Sequence, residues 1–158
     1  MMCYIIFVCA ILIVGMCIYA INTFIRSIPV NNLHGKHIVI TGCDSGFGLE
    51  LALRLDGMGF YVYAGCLTKP GRDSLSNKAS SRLKVLQLDV TDRASIQAMY
   101  DSVSHDLPAE GLWALVNNAG VGGVECPVEM CTVQDFHNTI KVSKFPPFYM
   151  PVSHIHKY

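Results

Sequence analysis

One segment limits the folds open to this chain more than any other: Thr41-Gly42-Cys43-Asp44-Ser45-Gly46-Phe47-Gly48. It follows the apolar run His37-Ile38-Val39-Ile40 and precedes the helix-like Leu49-Glu50-Leu51-Ala52-Leu53-Arg54-Leu55. Strand, glycine loop and helix in that order are the context a dinucleotide phosphate site requires. Glycines let the backbone turn sharply and come close to a pyrophosphate, and the free N–H groups of the following helix favour an anion. Gly42, Gly46 and Gly48 are spaced G-x-x-x-G-x-G.

Beyond the loop, short β-branched runs alternate with amphipathic stretches. Strands are expected at His37–Thr41, Phe60–Ala64, Leu83–Leu88 and Leu112–Val116, and helices at Gly46–Met58, Arg72–Ala79, Thr91–His105 and from about Thr132. Ile96, Met99, Tyr100 and Val103 fall at i, i+3, i+4 and i+7, a single apolar stripe. Alternation of this kind predicts an α/β fold with a parallel, doubly wound sheet. Right-handed crossovers give the strand order 3-2-1, with the fourth strand on the other side of the first. The crevice at that switch point lies over the glycine loop. Leu112–Val116 is nearly all apolar, as expected of a strand covered by helices on both faces.

The amino terminus is a different kind of sequence. No charged side chain occurs before Arg26, and some 24 helical residues extend roughly 36 Å against a hydrocarbon core of about 30 Å. Residues 1–25 are therefore expected to be a single-pass transmembrane anchor. A cleaved signal peptide would want a basic start, a shorter apolar core and a small-x-small cleavage site. Residues 26–36, with Pro29, Asn31, Asn32 and Gly35, read as a linker. Arg26, His34 and Lys36 follow the span and lean toward a cytosolic domain, without deciding the side.

The remaining composition mostly excludes. Twelve basic and twelve acidic residues balance, so no field draws in nucleic acid. The hydrophobic fraction of 51% owes its excess largely to the amino terminus. Seven cysteines do not make a disulfide framework: only Cys126 and Cys131 are close in sequence, and no partner pair completes a zinc set. They are expected to be reduced thiols acting as small apolar residues. His154 and His156 lack Cys or carboxylate neighbours and read as solvated, so no metal is expected.

Two further motifs complete the pattern. Leu88-Asp89-Val90 closes the third strand and Asn117-Asn118-Ala119-Gly120 the fourth. Together with the glycine loop, they resemble the short-chain dehydrogenase/reductase superfamily. The wording of the loop, Cys66-Leu67-Thr68 and Gly111-Leu112-Trp113-Ala114-Leu115-Val116 is similar to the membrane-anchored retinol and hydroxysteroid dehydrogenase branch. The resemblance implies a Rossmann-like domain, here its first four strands over residues 37–142. It also implies a nicotinamide dinucleotide cofactor, a lipophilic alcohol or ketone substrate and an endoplasmic reticulum membrane setting.

Carried over by position, Gly42, Gly46 and Gly48 would cradle the phosphates, with loop contacts from Ser45 and Phe47. Asp89 would accept from the adenine amino group while Val90 packs on the ring. Asn117, Ala119 and Gly120 would hold the fourth strand and the adenosine ribose. Each has a plainer reading: Asp89 could cap the Thr91 turn, and Asn117-Asn118 could be turn formers. An acid about 20 residues past the loop would select NAD, and a cation NADP. Cys66, Leu67, Thr68 and Lys69 stand there, with no acid; Lys69 pulls toward NADP and the non-basic Cys43 toward NAD, so the reading leans to NAD.

The family's catalytic Tyr-x-x-x-Lys pair does not occur in this chain. Tyr149 is followed at i+4 by Ser153, Tyr158 is the last residue, and Ser143 stands where the relay asparagine would fall. Motif resemblance ends at Val142, and residues 143–158, with three prolines in six residues, read as a divergent tail that cannot form the expected long helix. These features suggest a C-terminally truncated relative with no catalytic residue of its own. The alternatives are an anchored nucleotide-binding or interaction fragment, which could associate with a complete relative, and a chain with no role beyond membrane insertion.

Overall fold

The computed structural model describes residues 2–27, 33–124 and 126–143, with residues 2–10 by their backbone alone. The tail from residue 144, with Tyr149 and Tyr158, lies outside the described residues, as do linker residues 28–32. The chain divides into two compact units, Met1–Leu33 and His34–Tyr158.

The first unit carries helix α1, Met2–Ser27. Its side chains from Ile11 to Ile25 are apolar apart from a few hydroxyl, thiol and amide groups, and Arg26 donates to Asn22 Oδ1 one turn back. Among the described residues, no helix is long and apolar enough to cross a membrane. The span expected over residues 1–25 also includes residues 1–10, whose side chains are not described.

The second unit is a four-stranded parallel sheet with helical crossovers. β1 (His37–Thr41) leads through α2 (Gly46–Gly57) to β2 (Tyr61–Cys66). α3 (Lys69–Ser76) joins β2 to β3 (Leu83–Gln87), and α4 (Arg93–Asp106) leads on to β4 (Ala114–Val116). A 3-10 turn (Val128–Met130) and α5 (Val133–Ser143) follow. Strand order is β3-β2-β1-β4 and every pairing is parallel. It is the α/β, Rossmann-like order expected from the alternation, with the switch point between β1 and β4.

The core forms where apolar stripes meet. Met99 and Val103 of α4 are buried with Val39, Tyr63, Leu88 and Leu112, and Ile96 and Tyr100 pack against that cluster. Each such side chain stabilises by about 1.5–3 kcal/mol. Ile38, Ile40, Val62 and Ala64 point to the opposite face by strand alternation and are equally buried. Both faces of β1 and β2 are thus covered, which is why their sequences run apolar without a break.

Several boundaries differ from the sequence expectation by one to three residues, and three of the differences have a visible cause. α3 begins at Lys69 instead of Arg72, because Thr68 caps it by accepting from Gly71 N–H and Pro70 suits a first turn. β2 runs on to Cys66, since pairing with β3 continues to Cys66–Gln87. β4 shrinks to three half-buried residues, although Trp113 N–H still donates to His37 O. β4 pairs only with β1 among the described residues, and its half-buried side chains fall short of the cover on both faces that its apolar sequence suggested.

Candidate functional site

A cleft of about 400 Å³ opens at the carboxyl ends of the strands, over the switch point. Its floor is the glycine loop. Gly42 has a positive φ of 71°, and a Cβ there would stand 2.6 Å from Ala119 Cα, so only glycine lets β1 and β4 close on each other. At Gly48 a Cβ would collide with Gly42 O and stand 2.5 Å from Asn118 Nδ2, so α2 can start against the loop only without a side chain. Gly46 also has a positive φ, 60°.

Ser45 is the N-cap residue of α2, yet its side chain makes no cap hydrogen bond. The helix start therefore has no side-chain acceptor of its own, and its N–H groups and dipole are available to an anion. Phe47 is 91% exposed at the rim, an unusual place for a large apolar ring. Ser45 and Phe47 line the cleft; Gly46 and Gly48 shape the loop without lining it.

Asp44 was not among the residues singled out from sequence. Its carboxylate accepts from Leu67 N–H at 2.8 Å, from Thr68 N–H at 2.7 Å and from the Thr68 hydroxyl at 2.7 Å. Partial burial alone would raise its pKa, but the hydrogen bonds from Thr68 and Leu67 outweigh it and hold the carboxyl below its usual range. The sequence expectation places a NAD-selecting acid at the end of the second strand, where none stands. The parallel crossover brings the loop's own acid to that place, 24 residues away along the chain.

The opposite wall comes from β3 and β4. Leu88, Asp89 and Val90 line it, with Ala119 and Gly120. Asp89 Oδ1 accepts from Thr91 N–H at 2.8 Å and from its hydroxyl at 2.7 Å, so the plainer turn-capping reading holds for that oxygen. Oδ2 has no hydrogen-bond partner among the described residues and belongs to a residue on the cleft wall. The N-cap of α4 is Asp92, not Asp89.

At the end of β4 the asparagines divide differently from the expectation. Asn117 is exposed and does not line the cleft. Asn118 does, and its amide donates to Thr41 O at 3.0 Å and to Gly42 O at 2.9 Å. Backbone N–H groups of Asn118 and Ala119 donate to the buried Thr41 hydroxyl at 3.1 and 3.0 Å. Successive residues of an extended segment face opposite ways, so only one of the two asparagines can reach β1. Asn118 is thus the tie that fixes the loop against β4, and the Asn-Asn dipeptide was its only sequence signal.

Chemically, the cleft offers an anion-ready helix start, one ionised carboxylate, one half-engaged carboxylate and small residues for close backbone approach. Cys43 and Cys66 beneath it are fully buried, and burial first of all pushes both thiols up to about 12, so neither is a nucleophile. No tyrosine lines the cleft among the described residues. Val142 reaches it from α5, and Ser143 Oγ lies near Gly120.

Residues 36–157 match the family model for the short chain dehydrogenase, a span that runs on past Val142, where the motif resemblance ends. Dehydrogenase/reductase SDR family member 9 of Homo sapiens is 41% identical over 118 residues, 75% of this chain and 37% of that protein. Retinol dehydrogenase 5 of Mus musculus is 42% identical over 139 residues, 86% and 43% respectively. The 17-beta-hydroxysteroid dehydrogenase type 6 of Rattus norvegicus is 45% identical over 114 residues, 72% and 36%. The chain therefore spans less than half the length of these curated relatives. Among solved structures, the NADH complex of 3-ketoacyl-(acyl-carrier-protein) reductase from Brucella melitensis superposes with a TM-score of 0.63 at 27% identity, covering 70% of this chain and 45% of that one. Sheet order, loop geometry and a family match over most of its length agree: the chain belongs to the short chain dehydrogenase family.

Proposed function

We propose that this chain carries the cofactor-holding half of a nicotinamide-dependent oxidoreductase of lipophilic alcohols or ketones, and that it holds NAD in preference to NADP. The observation that carries the reading is the cleft itself, where an uncapped helix start faces a glycine floor at the switch point of a parallel sheet. A bound nicotinamide cofactor would supply the hydride acceptor or donor. The chain's own residues would do the holding. Gly42, Gly46 and Gly48 let the loop lie close to the phosphates, Ser45 and Phe47 meet them at the rim, and the α2 N-terminus offsets their charge. Asp89 Oδ2 is left to accept from the adenine amino group, with Val90 against the ring. Ala119 and Gly120 leave room for the ribose, while Asn117 sits outside the cleft and Asn118 braces it.

Preference for NAD rests on Asp44. A 2′-phosphate entering beside Leu67 and Thr68 would meet an ionised carboxylate that already occupies their N–H groups. Two cations stand close by, Lys69 at the first position of α3 and Arg72, whose guanidinium donates to Leu67 O at 3.1 Å. NADH is expected to bind at least about tenfold more tightly than NADPH, and Asp44→Asn to narrow that gap. Equal affinities in the parent chain would remove the preference.

Catalysis is a separate matter. The chain has no Tyr-x-x-x-Lys pair and no tyrosine among the described cleft residues, so we read it as binding without turnover. Incubation with NAD and all-trans retinol or a hydroxysteroid is expected to give no NADH. We read residues 1–25 as a single-pass membrane anchor, probed by carbonate extraction of membranes, and endoplasmic reticulum as its setting. A lipophilic substrate would partition to the same bilayer. Two further observations favour association with a complete relative. β4 has a partner on one side only among the described residues, and Phe136 and Ile140 of α5 are exposed.

A further inference from the structure

Cys126 and Cys131 flank the 3-10 turn, and their Sγ atoms stand 3.2 Å apart. The backbone sets that approach: Met130 N–H donates to Pro127 O at 2.9 Å and Cys131 N–H to Val128 O at 3.2 Å. The next residues fix Cys131 from the other side. Thr132 N–H and hydroxyl donate to Asp135 Oδ2 at 2.8 and 2.7 Å, and Asp135 N–H donates back to Thr132 Oγ1 at 3.2 Å, a reciprocal cap that starts α5. Both thiols are free and half-buried, within reach of a small reagent, unlike the fully buried Cys43 and Cys66. No group of three metal-ligating side chains includes them among the described residues. A bond between the two sulfurs would need a closing movement of only about 1 Å.

We propose that Cys126 and Cys131 form a thiol–disulfide pair, a modification site that a low-molecular-weight disulfide of the glutathione type oxidises to an intramolecular disulfide. In the first step the Cys126 thiolate attacks one sulfur of the small disulfide, whose S–S bond breaks and releases one thiolate. In the second, Cys131 attacks the Cys126 sulfur of the mixed disulfide and expels the other small thiolate. The two protons lost by the protein end on the two released thiols; the protein gives up two electrons and the small disulfide takes them. The Cys131 thiol is pushed up, first by its hydrogen bond with Cys126, so the first attack is assigned to Cys126, and Cys131 enters the second step through its nearness to the Cys126 sulfur. So short a ring constrains the unfolded chain little. Its effect is local, tying the segment that leaves β4, which carries the cleft residue Val121, to the start of α5, whose last turn carries Val142.

The test is to equilibrate the full chain, in detergent, with oxidised and reduced glutathione, quench with acid, alkylate with N-ethylmaleimide and map the peptides by mass. The expected product is a segment holding both cysteines, unalkylated and lighter by two hydrogens. At the same glutathione ratio it should be favoured at least about tenfold over the same chain in denaturant, because the fold holds the sulfurs together. Two alkylated sulfurs in the oxidising buffer, glutathione as the final adduct on either one, or a disulfide no more favoured in the folded chain would each overturn the proposal.

Discussion

Ser45 separates what a residue does for the fold from what it does for the site. It occupies the N-cap of α2 without capping it. An aspartate there would accept from the free N–H groups of the first turn and suit the helix dipole, so Ser45→Asp is expected to stabilise the fold by about 0.5–1 kcal/mol. The same carboxylate would stand where the cofactor's phosphates belong, and NADH affinity should fall at least about tenfold. Thermal unfolding and NADH titration of one variant check both signs. Asp44 gives a pH signature at the same scale. Its carboxyl is held below the unfolded value, so its contribution is fully present above the ordinary carboxylate range, near pH 4. That contribution is lost as pH falls through the lower folded value. An acid titration followed by circular dichroism should find Asp44→Asn less stable than the parent near neutrality, with the gap closing below about pH 4. A constant gap at all pH values would mean that Asp44 acts through shape alone.

At the scale of elements, the periodicities were legible because apolar stripes and runs follow directly from which faces are covered. Ile96, Met99, Tyr100 and Val103 announce α4, and His37–Thr41 announces β1 with its bounds intact. Ends set by local hydrogen bonds were harder to read, as Thr68 capping α3 illustrates. Contacts between residues distant in sequence were not legible at all: nothing in the order of residues says that Asp44 meets Thr68 or that Asn118 braces Gly42. Asp56 belongs to that class. Buried at the end of α2, it accepts from Ser80 N–H at 2.8 Å and from the Ser80 hydroxyl, and it faces Arg82 at 3.7 Å, joining α2 to the entry of β3. Asp56→Ala is expected to cost about 2–3 kcal/mol, since it leaves these donors without their charged acceptor. Chemical denaturation measures it, and NADH affinity of the folded variant should be unchanged.

For the whole molecule, the glycine loop and the motifs ending β3 and β4 identified the architecture because all three sit at the same edge of one sheet. The loop motif alone fits many tight turns; three motifs converging on one cleft do not. The sheet they build is nonetheless narrow. β4 is short, half-buried and paired on one side among the described residues, and a small sheet buries a smaller share of its surface. The full chain in detergent is therefore expected to unfold with a low midpoint and to form mixed oligomers, measured by light scattering; a monomer with a sharp, high transition would contradict this.

The central claim is that this cleft holds a nicotinamide dinucleotide, and fluorescence titration of the folded chain with NADH tests it most directly. Saturable binding with one site per chain, weakened at least about tenfold by Ser45→Asp while the fold is retained, is the predicted result. No saturable binding by a chain whose circular dichroism is that of a folded α/β protein would contradict it.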